Sequence, residues 1–132
     1  GLLATIYNDM SEFEKSDKNF ETSLVFFPNN PSVLNNWAYF LSLRGDKLEK
    51  AKKMSEKSIE ISDGPSHYYD TYAWILYKMK RFDEAKKNMK IAIEKMQEPS
   101  RVYFEHMAEI LEKTGDVEES KIYRKKAENF EE

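Results

Sequence analysis

Residues 72–92 read YAWILYKMKRFDEAKKNMKIA, and their pattern decides the fold. Tyr72, Ala73 and Leu76, with Tyr69 before them, fall on one helical face. Phe82, Ala85, Met89, Ala92 and Ile93 fall on another, and the charged pair Lys80-Arg81 lies between. The stretch is therefore two short amphipathic helices joined by a tight turn. Its small residues recur along the chain. Ala38, Ala73 and Ala108 stand 35 residues apart. Ser16, Ala51, Ala85 and Ser120 step by 35, 34 and 35, and Ser23, Ser58, Ala92 and Ala127 keep the same steps. Small residues at that interval mark a solenoid of helix pairs. They let two helices approach closely, while Trp37, Tyr72 and Phe82 fill the space between neighbours.

Outward from this unit the plan repeats. Asn30-Pro31 is a helix start, with a capping side chain and a proline in the first turn. Ser66 is read as a cap in the same way, and Ser100 opens the last unit. Arg44-Gly45-Asp46 and Thr114-Gly115-Asp116 break the pairs in the middle, and Pro65 and Pro99 mark the exits. Gly45 to Ala51 is one residue longer than Gly115 to Ser120, so an extra residue lies between Gly45 and Leu48. At the front, Leu3, Ala4 and Tyr7 match Trp37, Ala38 and Leu41, and Phe13 to Leu24 reads as a separate second helix. This divides the chain into units 1–30 (truncated), 31–65, 66–99 and 100–132, about 3.5 repeats in an all-α solenoid. Arg124 and Glu128 replace the apolar Met89 and Ile93 of the preceding unit, which reads as a polar C-terminal cap. Leu2, Leu3, Ile6 and Tyr7 read as an open edge, expected to meet an earlier part of a longer protein or a second copy.

Composition narrows the chemistry. The 132 residues are 34% charged but carry a net charge of only −3, without the basic excess of a nucleic-acid surface. No stretch approaches the roughly 20 apolar residues of a membrane span. There is no cysteine, so disulfides and thiolate metal sites are excluded. The two histidines, His67 and His106, lack the HxxxH or HExxH spacing of a metal site. The four glycines are isolated and form no phosphate loop. Ser66, His67 and Asp70 sit together at a helix start, where a cap explains the serine better than a nucleophile. Carboxylates abound, but nothing singles out a catalytic pair. No catalytic residue, metal or cofactor is expected, and the chain does not read as an enzyme.

The period of 34–35, a small residue on each helix, an aromatic after the mid-unit turn (Phe13, Phe82) and the exit proline Pro28 resemble the tetratricopeptide repeat. Ala73 to Tyr77 and Arg81 to Ala85 carry the resemblance most strongly. Departures stay within the size class: alanine stands for the usual glycine on the first helix, and Ser16 and Ser120 stand for alanine. The resemblance implies a right-handed stack of antiparallel helix pairs. It also implies a concave groove, lined by the first helix of each unit, that holds a peptide or a partner's helix. Carried over by position, the groove residues are Asn35, Asn36 and Tyr39, then Asp70, Thr71, Trp74 and Tyr77, then Glu105, His106, Glu109 and Glu112, with Thr5 and Asn8 at the front. All are expected to be free of the stacking core. Tyr39, Trp74 and Tyr77 suit a binding hot spot. The acids make the late end of the groove negative, while the lysines gather on the second helices, so a partner segment with Lys or Arg is expected. Solvated acids and a Trp74 packed on a neighbouring helix are the plainer readings. The clamp for C-terminal carboxylates is not expected: Asn36 fits one of its positions, but Thr5, His67 and Thr71 stand where basic or amide residues belong. An oligomerisation or spacer segment and an accessory domain of an enzyme remain alternatives. Location is left open between a bacterial cell envelope and the cytoplasm.

Overall fold

The computed structural model describes the backbone of residues 2–130 and the side chains of residues 12–130. Seven helices and no strand occur among the described residues. They are α1 (Leu2–Phe26), α2 (Pro31–Arg44), α3 (Leu48–Glu60), α4 (Ser66–Lys78), α5 (Phe82–Lys95), α6 (Arg101–Lys113) and α7 (Val117–Glu128). The helices pack as pairs, α2 on α3, α4 on α5 and α6 on α7. Each pair rests on the next through α3 on α4 and α5 on α6, and the first helices α2, α4 and α6 lie side by side. This is an all-helical solenoid.

The small-residue ladders sit where helices meet. Ala38, Ala73, Ala108, Ala51, Ala85 and Ala92 are fully buried. Ser120 fills an alanine slot by donating its hydroxyl to the Ala108 carbonyl at 2.9 Å, so the polar atom is satisfied inside the pair. Leu34, Trp37, Leu41, Met54 and Ile75 form one core cluster with Ala38 and Ala51. Leu76, Met89, Met107, Ile110 and Leu111 form the other with Ala73, Ala85 and Ala92. Ile75, on α4, belongs to the cluster of the preceding pair, which is how neighbouring pairs interlock.

The three mid-unit turns close in one way. The N–H groups of Asp46, Arg81 and Asp116 donate to the carbonyls of Leu41, Leu76 and Leu111 at 3.1, 2.9 and 2.9 Å. Each closure needs a left-handed residue just before it. Gly45 (φ 68°), Lys80 (φ 64°) and Gly115 (φ 84°) take that conformation. The extra residue of the first turn is Lys47, also left-handed at φ 49°. At the helix starts, Asn30 accepts from the Val33 N–H at 3.2 Å and Ser100 from the Tyr103 N–H at 3.4 Å. Ser66 departs from expectation. Pro65 holds the cap position, and the Ser66 hydroxyl pairs instead with the Tyr103 hydroxyl at 3.2 Å.

The opening segment also differs from the sequence expectation. One unbroken helix, α1, runs from Leu2 to Phe26, with no turn before Phe13. Asn8 to Glu12 contains neither glycine nor proline, so nothing there eases a left-handed break and helical hydrogen bonding continues. α1 is tied to α2 by one carboxylate. Asp17 accepts from the Trp37 indole N–H at 2.9 Å and from the Arg44 guanidinium at 2.9 Å. Burial pushes the Asp17 carboxyl up, but those two hydrogen bonds outweigh it and hold the group below its ordinary value. The side chains of Leu2, Leu3, Ala4, Thr5, Ile6, Tyr7 and Asn8 lie outside the described residues.

Candidate functional site: the face of the first helices

The helices α2, α4 and α6 lie side by side, which gathers the side chains of their shared face into one surface. Trp74 on α4 is its centre. The indole stacks on the Tyr77 ring, with centroids 4.5 Å apart and planes 11° apart. It also stacks on the His106 ring of α6, at 3.9 Å and 16°. Lys78 reaches over the same indole at 5.6 Å. His106 Nδ1 lies 2.7 Å from Asp70 Oδ1, which ties α6 back to α4. The Tyr77 hydroxyl donates to Glu109 at 3.2 Å, a second polar tie between the two helices. Burial raises the Tyr77 hydroxyl pKa, and the neighbouring Glu109 carboxylate adds to the effect.

The expectation that every groove residue stands free of the packing is corrected here. Asn35, Asp70 and Thr71 are only 4%, 7% and 4% exposed. They sit at the seams between first helices, where closely spaced backbones leave little room for water. Asp70 is spent on His106. Thr71 donates to the His67 carbonyl on its own helix at 3.1 Å. Asn36 and Glu105 are exposed, and Tyr39, Trp74, Tyr77, His106 and Glu109 are half-buried.

The acidic end is also less free than its composition suggests. Arg124, read from sequence only as part of a polar cap, reaches Glu112 at 2.6 Å and Glu109 at 3.5 Å. Its hydrogen bond holds the Glu112 carboxyl below the ordinary value. Glu105 has no ion pair among the described residues. Sequence reasoning missed the role of Arg124 because its partners lie on the preceding helix, 12 and 15 positions away. Among the described residues no group of three or more His, Asp or Glu could hold a metal ion, and no helix is long and apolar enough to cross a membrane.

Residues 66–94, which span α4 and most of α5, match the family described as tetratricopeptide repeat. That stretch is similar to a single tetratricopeptide repeat. The same architecture extends beyond the matched unit. A solved structure of MamA AMB-1 superposes with a TM-score of 0.75 at 23% identity, covering 92% of this chain and 71% of that one. MamA MSR-1 gives 0.72 at 22% identity, over 92% of this chain and 69% of that one. A second structure of MamA AMB-1 gives 0.73 at 22%, over 95% and 72%. At such identities the likeness shows the fold. No curated protein matches the sequence. In this all-helical solenoid the Trp74 cluster lies on the face made by consecutive first helices.

Proposed function

We propose that the chain is a protein–protein interaction scaffold that holds a peptide or partner surface on the face of α2, α4 and α6. The observation that carries this reading is the half-buried stack of Tyr77, Trp74 and His106. It offers broad aromatic area with polar edges, held rigid by Asp70 and Glu109. A rigid aromatic platform loses little side-chain entropy on binding, which is what a hot spot requires. A lysine or arginine in the partner would be drawn to Glu105, the acid in this cluster without an ion pair. Capture of partners by the immobilised chain tests the reading. Trp74→Ala and Tyr77→Ala should each weaken retention at least tenfold, whereas Lys87→Ala on α5 should leave it unchanged. Retention that survives both aromatic changes would refute the groove. Retention unchanged by Glu105→Lys would refute the cationic preference alone.

Self-association is a second reading with its own observation. Phe13, Phe40 and Leu43 are exposed on α1 and α2. Phe40 occupies the position of Ile75 and Ile110, 35 and 70 residues earlier, and both isoleucines are fully buried. An apolar surface left open in this way favours a second copy. Sedimentation that shows a monomer at all concentrations, unchanged by Phe40→Glu, would remove this reading.

A further inference from the structure

In the later pairs the small residue of the second helix packs on that of the first. Ser120 donates to the Ala108 carbonyl 12 residues back, and Ala73 and Ala85, also 12 apart, share one core cluster. The same spacing separates Ala4 from Ser16. Leu3, Ala4 and Tyr7 thus carry the first-helix pattern in step with Ser16, as Trp37, Ala38 and Leu41 carry it on α2. Yet α1 runs unbroken from Leu2 to Phe26. Twelve residues of straight helix span about 18 Å, so Ala4 and Ser16 of one copy stay apart. The place of a first helix beside α1 is correspondingly open. Ser16 and Ser23 are half-buried, whereas Ala51, Ala85, Ser58 and Ala92 of the same ladders are fully buried. Phe20 is half-buried at the position where Met89 is fully buried. Phe40 is 48% exposed where Ile75 is at 0%, and Ile75 shares its cluster with Trp37, Ala38 and Leu41 of the preceding first helix.

We propose that two copies of the chain exchange this element, residues 2–8 of each α1 taking the vacant first-helix place on α1 and α2 of the other. This rests on the self-association reading above and names the segment that fills the open surface. The register is self-consistent. With the two α1 helices antiparallel, Ala4 of one copy opposite Ser16 of the other also sets Ser16 of the first opposite Ala4 of the second, about a two-fold axis at Met10. The contact is its own symmetry mate, as a closed dimer requires. Leu3 and Tyr7 of one copy then approach Phe40 of the other, the equivalents of Trp37 and Leu41 beside Ile75. The hinge decides between this exchange and a first helix folded back on its own copy. Folding back needs a left-handed residue five positions before the small residue of the second helix, where Lys80 and Gly115 stand in the later pairs. Here that position is Ser11. A left-handed serine is strained, whereas the straight helix keeps its backbone hydrogen bonds.

Disulfide trapping tests the exchange on the whole chain, which has no cysteine of its own. Ala4→Cys combined with Ser16→Cys, treated with oxidised glutathione, should give a covalent dimer on a non-reducing gel. The unsubstituted chain should sediment at twice its mass as concentration rises. Adding Ser11→Gly eases the turn, so it should shift the disulfide to within one chain and weaken dimerisation at least tenfold. A disulfide within one chain when Ser11 is kept overturns the exchange. A dimer whose cysteines stay unlinked also overturns it and leaves self-association through another face standing. A dimer not weakened by Ser11→Gly overturns the exchange as well, since surfaces that merely touch do not depend on the hinge. A monomer at all concentrations overturns both the exchange and the self-association reading.

Discussion

Asp17 shows how much one side chain decides. It lies next to Ser16 of the small-residue ladder, yet its own position has no periodic signal. Its partners, Trp37 and Arg44, are 20 and 27 residues away, so only the folded chain brings them together. Asp17→Ala would leave the buried indole N–H and a guanidinium that is 10% exposed without their acceptor. The cost should be about 2 kcal/mol by chemical denaturation, in the range for losing a charged acceptor from buried donors. The pH dependence follows from the lowered carboxyl. The unfolded chain binds the proton more readily, so the stabilisation is complete above the ordinary value of 3.8 and is lost as pH falls through the lower folded value. Asp17→Asn should therefore be less stable near neutrality and lose less additional stability on acidification below about pH 4. An identical acid slope in the two proteins would refute the assignment. Residues such as Ala73 and Leu76 were legible from sequence because burial depends on spacing alone. Asp17, Arg124 and Ser66 were not, because their partners are set by the packing of separate helices.

Helices and turns were legible where the chain itself punctuates them. Gly45 and Gly115 mark two of the three mid-unit turns in the sequence, and both are left-handed. The middle turn uses Lys80 at φ 64° for the same closure, in a conformation that costs a non-glycine residue about 1–2 kcal/mol. Lys80→Gly removes that strain but adds some backbone entropy to the unfolded chain. The net gain should be up to about 1 kcal/mol, or a rise of roughly 2–5 °C in Tm. A fall in Tm would mean that the lysine side chain contributes more at the turn than its strain costs. The front of the chain shows the converse. The pattern from Leu3 to Phe13 resembles a helix, turn and helix, but without glycine or proline the turn has no local support and α1 runs straight. A repeat pattern specifies which faces are apolar. It does not by itself specify where a helix breaks.

In a solenoid each unit touches only its neighbours, so stability is a sum of units and the joints between them. That property makes the candidate site a structural joint as well as a surface. The sequence located its positions but not their condition, because whether a groove residue is free depends on what the next helix offers it. Asp70 meets His106 across the α4–α6 joint, while among the described residues Asn35 Oδ1 meets no donor at the corresponding place. The joints should therefore respond unequally to mutation. Asp70→Ala leaves His106 without its partner and should loosen α6 and α7 as a terminal unit, lowering their amide protection by about tenfold for each 1.4 kcal/mol lost. Protection in α2 and α3 should barely change, since the joint on that side has no bond to Asp70. Asn35→Ala removes no side-chain hydrogen bond among the described residues, so its cost should come from lost packing and stay below that of Asp70→Ala. Hydrogen exchange resolved by helix distinguishes the two cases. Equal loss of protection in α3 and α7 after Asp70→Ala would mean that the molecule opens as one cooperative body, and the rung between α4 and α6 would then have no local role.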